Sequence, residues 1–324
     1  MRCFSTVQAG FKKIGDITAP YRTFSDFLAE RFDCKMQKLT IDGGFTCPNR
    51  DGTVGRGGCI YCNNSSFSPD KGGGSTIAAQ IAHGKNFFAR KYPDMRYLAY
   101  FQSYTGTHAP VSKLMPLYME ALEQPQVDGI IIGTRPDCMP DELLRELGEL
   151  RRDYFVLIEY GAESSHNSTL ARINRCHTAE QTAEAVERTA AAGIETGLHL
   201  INGLPGEDKD MMLSTVEWIN TLPVDVVKFH QMQVVRGTEL ARRWERNEAD
   251  IIDFSVDDYI NLCVEIVKRL RKDIAIERFV SQSPADMLIH PKWGLKNYEF
   301  TNRLLKKLTA SCGCAQSGSL SGKM

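Results

Sequence analysis

Six short apolar runs alternate with five longer stretches of helical periodicity along this 324-residue sequence. The runs Met36–Ile41, Tyr97–Gln102, Gly129–Gly133, Phe155–Tyr160, Glu195–Ile201 and Val226–Gln231 read as strands. The stretches Thr76–Tyr92, Val111–Glu123, Asp141–Arg152, Thr178–Ala192 and Asp208–Thr221 read as helices. Strands separated by helices of this length form βα units and a parallel sheet. Spacing leaves two architectures open, a partial (β/α)6 barrel and a doubly wound open sheet. A hydrophobic share of 42% supports a full core in either. Residues 1–30 read as a lead-in, 31–240 as the α/β body and 241–308 as a small helical or mixed extension. The Ser- and Gly-rich tail 309–324 is expected to be disordered.

Cys47, Cys59 and Cys62 close a glycine-rich loop, Cys-Pro-Asn-Arg-Asp-Gly-Thr-Val-Gly-Arg-Gly-Gly-Cys-Ile-Tyr-Cys. Iron–sulfur clusters are held by Cys thiolates, and three closely spaced cysteines would hold a [4Fe–4S] cluster with one iron open to an external ligand. Gly52, Gly55, Gly57 and Gly58 let the backbone fold tightly around sulfur. Tyr61 is placed to pack a flat ring beside whatever binds the open iron. The alternative is a structural zinc site on Cys59-x2-Cys62. Zinc prefers four closed ligands, and no fourth Cys or His follows at finger-like spacing.

These residues resemble the radical S-adenosylmethionine (SAM) enzymes. The gap of eleven residues between Cys47 and Cys59 resembles the YhcC/YtqA branch, which is similar to the catalytic domain of the elongator subunit that modifies tRNA. The resemblance spans roughly residues 20 to 300 and selects the partial (β/α)6 barrel with a small C-terminal extension. It implies that Cys47, Cys59 and Cys62 hold the cluster and that SAM binds the unique iron. SAM is then cleaved to methionine and a 5′-deoxyadenosyl radical, with the electron coming from a donor such as flavodoxin or ferredoxin.

In barrels, functional residues gather at the C-terminal ends of strands, and the resemblance assigns roles there. Gln102 and Tyr104 follow the second strand in Tyr-Phe-Gln-Ser-Tyr, where relatives bond the SAM amino group. Arg135, after the third strand, suits by its own chemistry a carboxylate clamp, with Asp137 orienting it or the ribose; the alternative is a surface salt bridge. Glu159 and Glu163, in Glu-Tyr-Gly-Ala-Glu-Ser, meet the ribose and methionine ends of SAM. Arg175, in Ile-Asn-Arg-Cys-His, takes the SAM carboxylate or a substrate phosphate; Cys176 stands where relatives usually have glycine. Leu204 and Gly206, in Gly-Leu-Pro-Gly-Glu, belong to the adenine-binding backbone. Lys228 and His230 alternate with apolar neighbours and so share a face; they are the catalytic candidates. His177 reads equally as a packed or a catalytic histidine, and the Lys292-Trp293 segment as a packed turn.

Net charge of −1 and pI near 6.7 announce no global basic field, which leaves only local basic patches for nucleic acid. No apolar run approaches the ~18 residues of a membrane span or the core of a signal peptide. Ten cysteines scattered over a chain this large suggest a reducing, cytoplasmic setting. Cys312-x-Cys314 supplies only two ligands for any second metal. Three functions remain: radical modification of a tRNA wobble uridine side chain, radical chemistry on a small carboxylate-bearing metabolite, and a non-catalytic sensor that binds cluster and SAM.

Overall fold

The computed structural model describes residues 19–66, 75–89 and 94–311. Its main sheet is entirely parallel. The strands are β1 (Met36–Ile41), β2 (Arg96–Phe101), β3 (Val127–Thr134), β4 (Phe155–Glu163), β5 (Glu195–Asn202), β6 (Val226–Gln231) and β8 (Ala275–Arg278), in that spatial order. A small antiparallel ribbon pairs β7 (Val234–Val235) with β9 (Leu288–His290). All six expected strands are present, and β4 runs on past Tyr160 to Glu163. The seventh sheet strand, β8, comes from the segment read as an extension. Four residues ending in Glu277-Arg278 carry too little apolar pattern to announce a strand.

The helices are α1 (Phe24–Ala29), α2 (Pro48–Asp51), α3 (Ile77–Ala89), α4 (Val111–Leu122), α5 (Asp141–Leu150), α6 (Asn167–Arg172), α7 (Ala179–Ala191), α8 (Lys209–Asn220), α9 (Glu239–Glu245), α10 (Val256–Arg269) and α11 (Asn297–Ser311). Several start where the sequence supplies a cap. Thr23 and Asp26 form a capping box on α1, Thr178 and Gln181 another on α7, and Asp208 accepts from Met211 N at 2.8 Å on α8. Such side chains satisfy backbone donors that the first turn leaves unpaired. α11 carries the chain into the expected tail as far as Ser311, and Cys312 and Cys314 lie outside the described residues. Among the described residues no helix is long and apolar enough to cross a membrane.

Side chains alternate between the two faces of each strand, and the two faces differ in chemistry. Outward residues such as Leu39, Ile130, Val156, Leu198 and Phe229 join the helices in the larger apolar core. Inward residues Leu98, Ile131, Leu157, Val226 and Ala275 meet Phe27 and Leu28 of α1, which plug the lower end of the curled sheet. The curl is tight enough for Lys38 on β1 to pair with Glu277 on β8, the two edge strands. Above this layer, at the C-terminal strand ends, the interior opens into a cavity of about 270 Å3.

Candidate active site

The cysteine loop is built to hold its sulfurs apart from the strands and against the cavity. Cys47 caps α2, its carbonyl accepting from Arg50 N at 2.8 Å. Gly52, Gly57 and Gly58 take positive φ (+92°, +82° and +77°), where a Cβ would be strained. Asn49 Nδ2 donates to Asn174 O at 2.6 Å, Asn174 Nδ2 to Gly58 O at 2.9 Å and Ile60 N to Ile173 O at 3.1 Å, so the loop is pinned to the segment after α6. Arg175 Nη1 lies 3.5 Å from Cys59 Sγ, and Asn49 Nδ2 lies 3.7 Å from it. Burial, together with the neighbouring Cys59, pushes the Cys62 thiol up to about 11 despite Arg50. A metal that binds such thiols must displace their protons, because the thiolate is the ligand. Among the described residues no three His, Cys, Asp or Glu side chains converge to hold a single metal ion; the three cysteines line the cavity.

Two arginines stand beside the loop. Arg135 grips Asp137 bidentately (Nε–Oδ1 2.9 Å, Nη2–Oδ2 2.7 Å), while its buried Nη1 has no partner among the described residues. Arg175 donates from Nη2 to Gly161 O at 2.6 Å, lies 3.3 Å from Glu163 Oε1, and leaves its buried Nε without a partner among the described residues. Glu163 reaches it because β4 breaks register with β5 between Gly161 and Glu163, and Glu163 takes φ +67°. Such bulges re-aim side chains beside functional sites. Tyr104, at φ +55°, is a second non-glycine in the left-handed region at the cavity. Buried near both arginines, His177 has its pKa lowered to about 3 by desolvation and by Arg175 and Arg135. Its ring nitrogens face Gly161 O and Thr178 O, both at 3.2 Å. A neutral ring can donate to only one of these.

Beneath the cavity lies a buried charge box. Glu159 accepts from Lys38 at 2.9 Å, from Lys228 at 2.8 Å and from His199 Nε2 at 2.8 Å. Lys228 also meets Glu277 at 3.2 Å and Tyr100 Oη at 3.2 Å. Burial would raise the Glu159 carboxyl, but Lys228, Lys38 and His199 outweigh it and hold it well below the usual range. Burial, only partly offset by Glu159 and Glu277, brings the Lys228 ammonium down to about 8.

The expected site residues therefore divide. Cys47, Cys59, Cys62, Tyr61, Gln102, Tyr104, Arg135, Glu159, Glu163, Arg175 and His230 all line the one cavity. Lys228 sits below it, engaged with Glu159. Leu204 packs instead among Ile60, Ile173 and Met232, and Gly206 turns away, its N–H bonded to Asp250 O at 2.9 Å. Trp293 is packed between Tyr259 and Phe300 and donates to Phe254 O at 3.0 Å. Sequence reasoning passed over His199, Arg278, Gln231 and Gln233, which also line the cavity. For His199 a signal existed, a histidine two residues before Ile201 on the inward face of β5; for Arg278 the unrecognised strand removed it.

Comparison with known proteins agrees with the curled parallel sheet. The Radical SAM superfamily model matches residues 49–219 and the Radical_SAM C-terminal domain model residues 224–310. The chain is 36% identical to the uncharacterized protein YtqA of Bacillus subtilis, covering 89% of each. It is 38% identical to protein YhcC of Escherichia coli K12, covering 83% of this chain and 86% of that one. A tRNA uridine(34) acetyltransferase of Methanocaldococcus jannaschii is 24% identical over 57% of this chain and 34% of its own. Among solved structures, Elp3 of Methanocaldococcus infernus superposes with a TM-score of 0.66 at 16% identity, over 86% of this chain and 64% of that one.

Proposed function

This chain belongs to the radical SAM superfamily, in the branch of YtqA and YhcC, and we propose that it modifies a wobble uridine of tRNA. When bound, the [4Fe–4S] cluster and SAM of this enzyme class supply a carbon-centred radical able to abstract hydrogen from an unactivated position. Cys47, Cys59 and Cys62 hold the cluster. The donors that Arg175 and Asn49 direct at Cys59 Sγ suit a thiolate ligand, because hydrogen bonds to sulfur tune such clusters.

The residues beside the loop suit SAM. Arg175 Nε, Arg135 Nη1 and Thr105 Oγ1 are buried polar atoms without partners at or beside the cavity, and buried groups of this kind ordinarily find one. We assign Arg175 to the SAM carboxylate, Glu163 and Gln102 to its polar groups, and Tyr61 and Tyr104 to its flanks. Glu159, saturated by two lysines and His199, fixes the cavity floor rather than a ribose. Lys228 acts through Glu159, and His230 stands on the wall. An external reductant of the flavodoxin or ferredoxin type supplies the electron.

The observation that carries the tRNA reading is the 24% identity, over 57% of this chain, to a protein called tRNA uridine(34) acetyltransferase. The Elp3 likeness supports the fold alone. Action on a small carboxylate-bearing metabolite is the second reading, favoured by the arginines around a modest cavity. Mass spectrometry of tRNA nucleosides from deletion and wild-type cells separates the two. Loss of a wobble modification supports tRNA, and an unchanged wobble position hands the reading to the metabolite. Dithionite-dependent formation of 5′-deoxyadenosine by the purified protein tests the enzyme class itself.

A further inference from the structure

We propose that Arg278, with His230 and the 281–283 loop, forms an oxyanion-binding subsite of the cavity that receives a carboxylate or phosphate of the substrate. This goes beyond the tRNA reading and does not depend on it. Four arginines line the cavity, and three are accounted for. Arg135 holds Asp137, Arg175 pairs with Glu163 and faces Cys59, and Arg50 donates to Cys62 O at 2.6 Å. Arg278 has no carboxylate within ion-pair distance among the described residues, and its buried Nε has no hydrogen-bond partner.

The one hydrogen bond it makes among the described residues deepens the asymmetry. Arg278 Nη2 lies 3.2 Å from His230 Nε2. A guanidinium can only donate, so His230 Nε2 must carry the lone pair and the imidazole stays neutral. His230 therefore orients Arg278 without cancelling its charge. The nearby acids are spoken for: Glu277 pairs with Lys38 and Lys228, and Glu159 with Lys38, Lys228 and His199. Counting the box as two lysines against two glutamates leaves it neutral and Arg278 uncompensated. A half-buried, unpaired guanidinium is costly unless an anion meets it, and a fork of donors suits carboxylate or phosphate.

The backbone explains why Arg278 is there. β8 slips register against β6 between Val227 and Lys228, so Lys228 pairs with Arg278 rather than Glu277. The slip turns both side chains inward, Glu277 into the box and Arg278 toward the cavity wall. The adjoining loop is held rigidly. Gln231 exchanges two bonds with Ser281 (3.0 and 2.9 Å), Gln233 donates to Ser281 O at 3.1 Å, and Ser283 donates to Gln233 at 2.8 Å. Binding sites are held this way by fixed neighbours before the ligand arrives.

The test is calorimetric titration of the full-length protein, cluster reconstituted and saturated with SAM but without reductant. Inorganic phosphate and acetate are the probes, with chloride at equal ionic strength as the control. Saturable binding above chloride is expected, weakened at least tenfold by Arg278→Gln, less by Arg278→Lys, and not at all by Arg152→Gln on the exposed surface. Tighter phosphate binding assigns a phosphate ligand, and tighter acetate binding a carboxylate. The same Arg278 dependence is expected in the cluster-free Cys47→Ala, Cys59→Ala, Cys62→Ala chain, so failure of the catalytic reading leaves this result standing. The subsite is overturned if neither anion exceeds chloride, or if Arg278→Gln and Arg278→Lys, both folded by circular dichroism, bind as the parent does.

Discussion

Lys228 Nζ donates to Glu159 Oε2 at 2.8 Å between strands β6 and β4, with both side chains almost wholly buried. The pair is the centre of a box whose other corners, Lys38 and Glu277, belong to the two edge strands. The box thus ties the curled sheet across its open side, while α1 plugs the lower end with Phe27 and Leu28. The cavity above inherits a floor that is charged yet neutral in sum.

Removing one corner should therefore cost far more than an ordinary surface ion pair. Lys228→Met leaves Glu159 and Glu277 short of a cation in a buried site, a change expected to destabilise by about 3–5 kcal/mol. Adding Glu277→Gln to it should recover part of the loss, since the surviving Lys38–Glu159 pair is then balanced. Urea unfolding of the single and double variants measures both. A single variant within about 0.5 kcal/mol of the parent, the range of surface substitutions, would show that the box contributes little.

Acid should weaken the fold in two stages. Burial lowers the pKa of His177 to about 3 and, with nearby cations, holds His230 well below and His199 below the ordinary value. As pH falls through about 6.5, the ordinary value, the unfolded chain binds protons that the folded chain refuses, so stability drops. The His177 share of this loss ends near pH 3, where the folded ring itself titrates. A second stage begins as pH falls into the usual carboxylate range, because Glu159 and Glu277 are held low: their unfolded carboxyls bind protons there that the folded ones refuse, and the loss ends only once the folded pair protonates. Unfolding midpoints at pH 7.5 and 5.5 should differ in the parent and differ less in His177→Gln. Equal midpoints in the parent contradict the assignment.

Much of this was legible in the sequence, for physical reasons that also mark where legibility ended. Buried parallel strands are continuous apolar runs, so β1 to β6 stood out. Strand β8 did not, because two of its four residues are charged and face the interior, where only the curl reveals their partners. The cysteine loop was legible because Cys47, Cys59 and Cys62 lie close in sequence on one glycine-rich loop, and the structure brings all three to the cavity. Lys228 and His230 were read as sharing one face of the sixth strand, but the position of Lys228 beneath the cavity depends on Lys38, Glu159 and Glu277 from three other strands. Leu204 and Gly206 were read as binding backbone, yet the chain after β5 turns so that Leu204 packs against Ile60. Arg278 needed a register slip that no local pattern encodes.

Replacing Cys47, Cys59 or Cys62 with Ala should abolish the cluster while sparing the fold. The loop backbone is pinned by Asn49, Asn174 and Ile60, and the donors that face Cys59 Sγ add to this without carrying the fold. Each variant should therefore lose the iron and the reduced-cluster EPR signal while the metal-free chain still unfolds cooperatively, with a stability cost of at most about 1–3 kcal/mol, the range for buried groups that lose a partner. Iron retained in the triple variant would reject these ligands. Stoichiometric zinc in protein grown with ample iron would do the same for the cluster.

Gly55 gives the most specific test of how the loop is supported. A Cβ there would lie 2.2 Å from Asn49 Oδ1 and 2.9 Å from Cys176 Sγ, both closer than real contacts allow. The exposed Cys176 thiol, on a residue at φ +61°, can turn aside, but Asn49 is fully buried and cannot do so freely, and the two also meet at 3.3 Å. Gly55→Ala must then move Asn49, the side chain that ties the loop to Asn174 O and points its amide at Cys59 Sγ. The expected outcome is faster cluster loss in air and weaker reconstitution, at a folding cost of about 1–3 kcal/mol for an overpacked site. Trimming the second neighbour should help: Gly55→Ala with Cys176→Gly opens space on the thiol side and removes the left-handed strain. Cluster retention in that double variant is expected to fall between the parent and Gly55→Ala. If Gly55→Ala alone holds its cluster like the parent, Asn49 does not position Cys59.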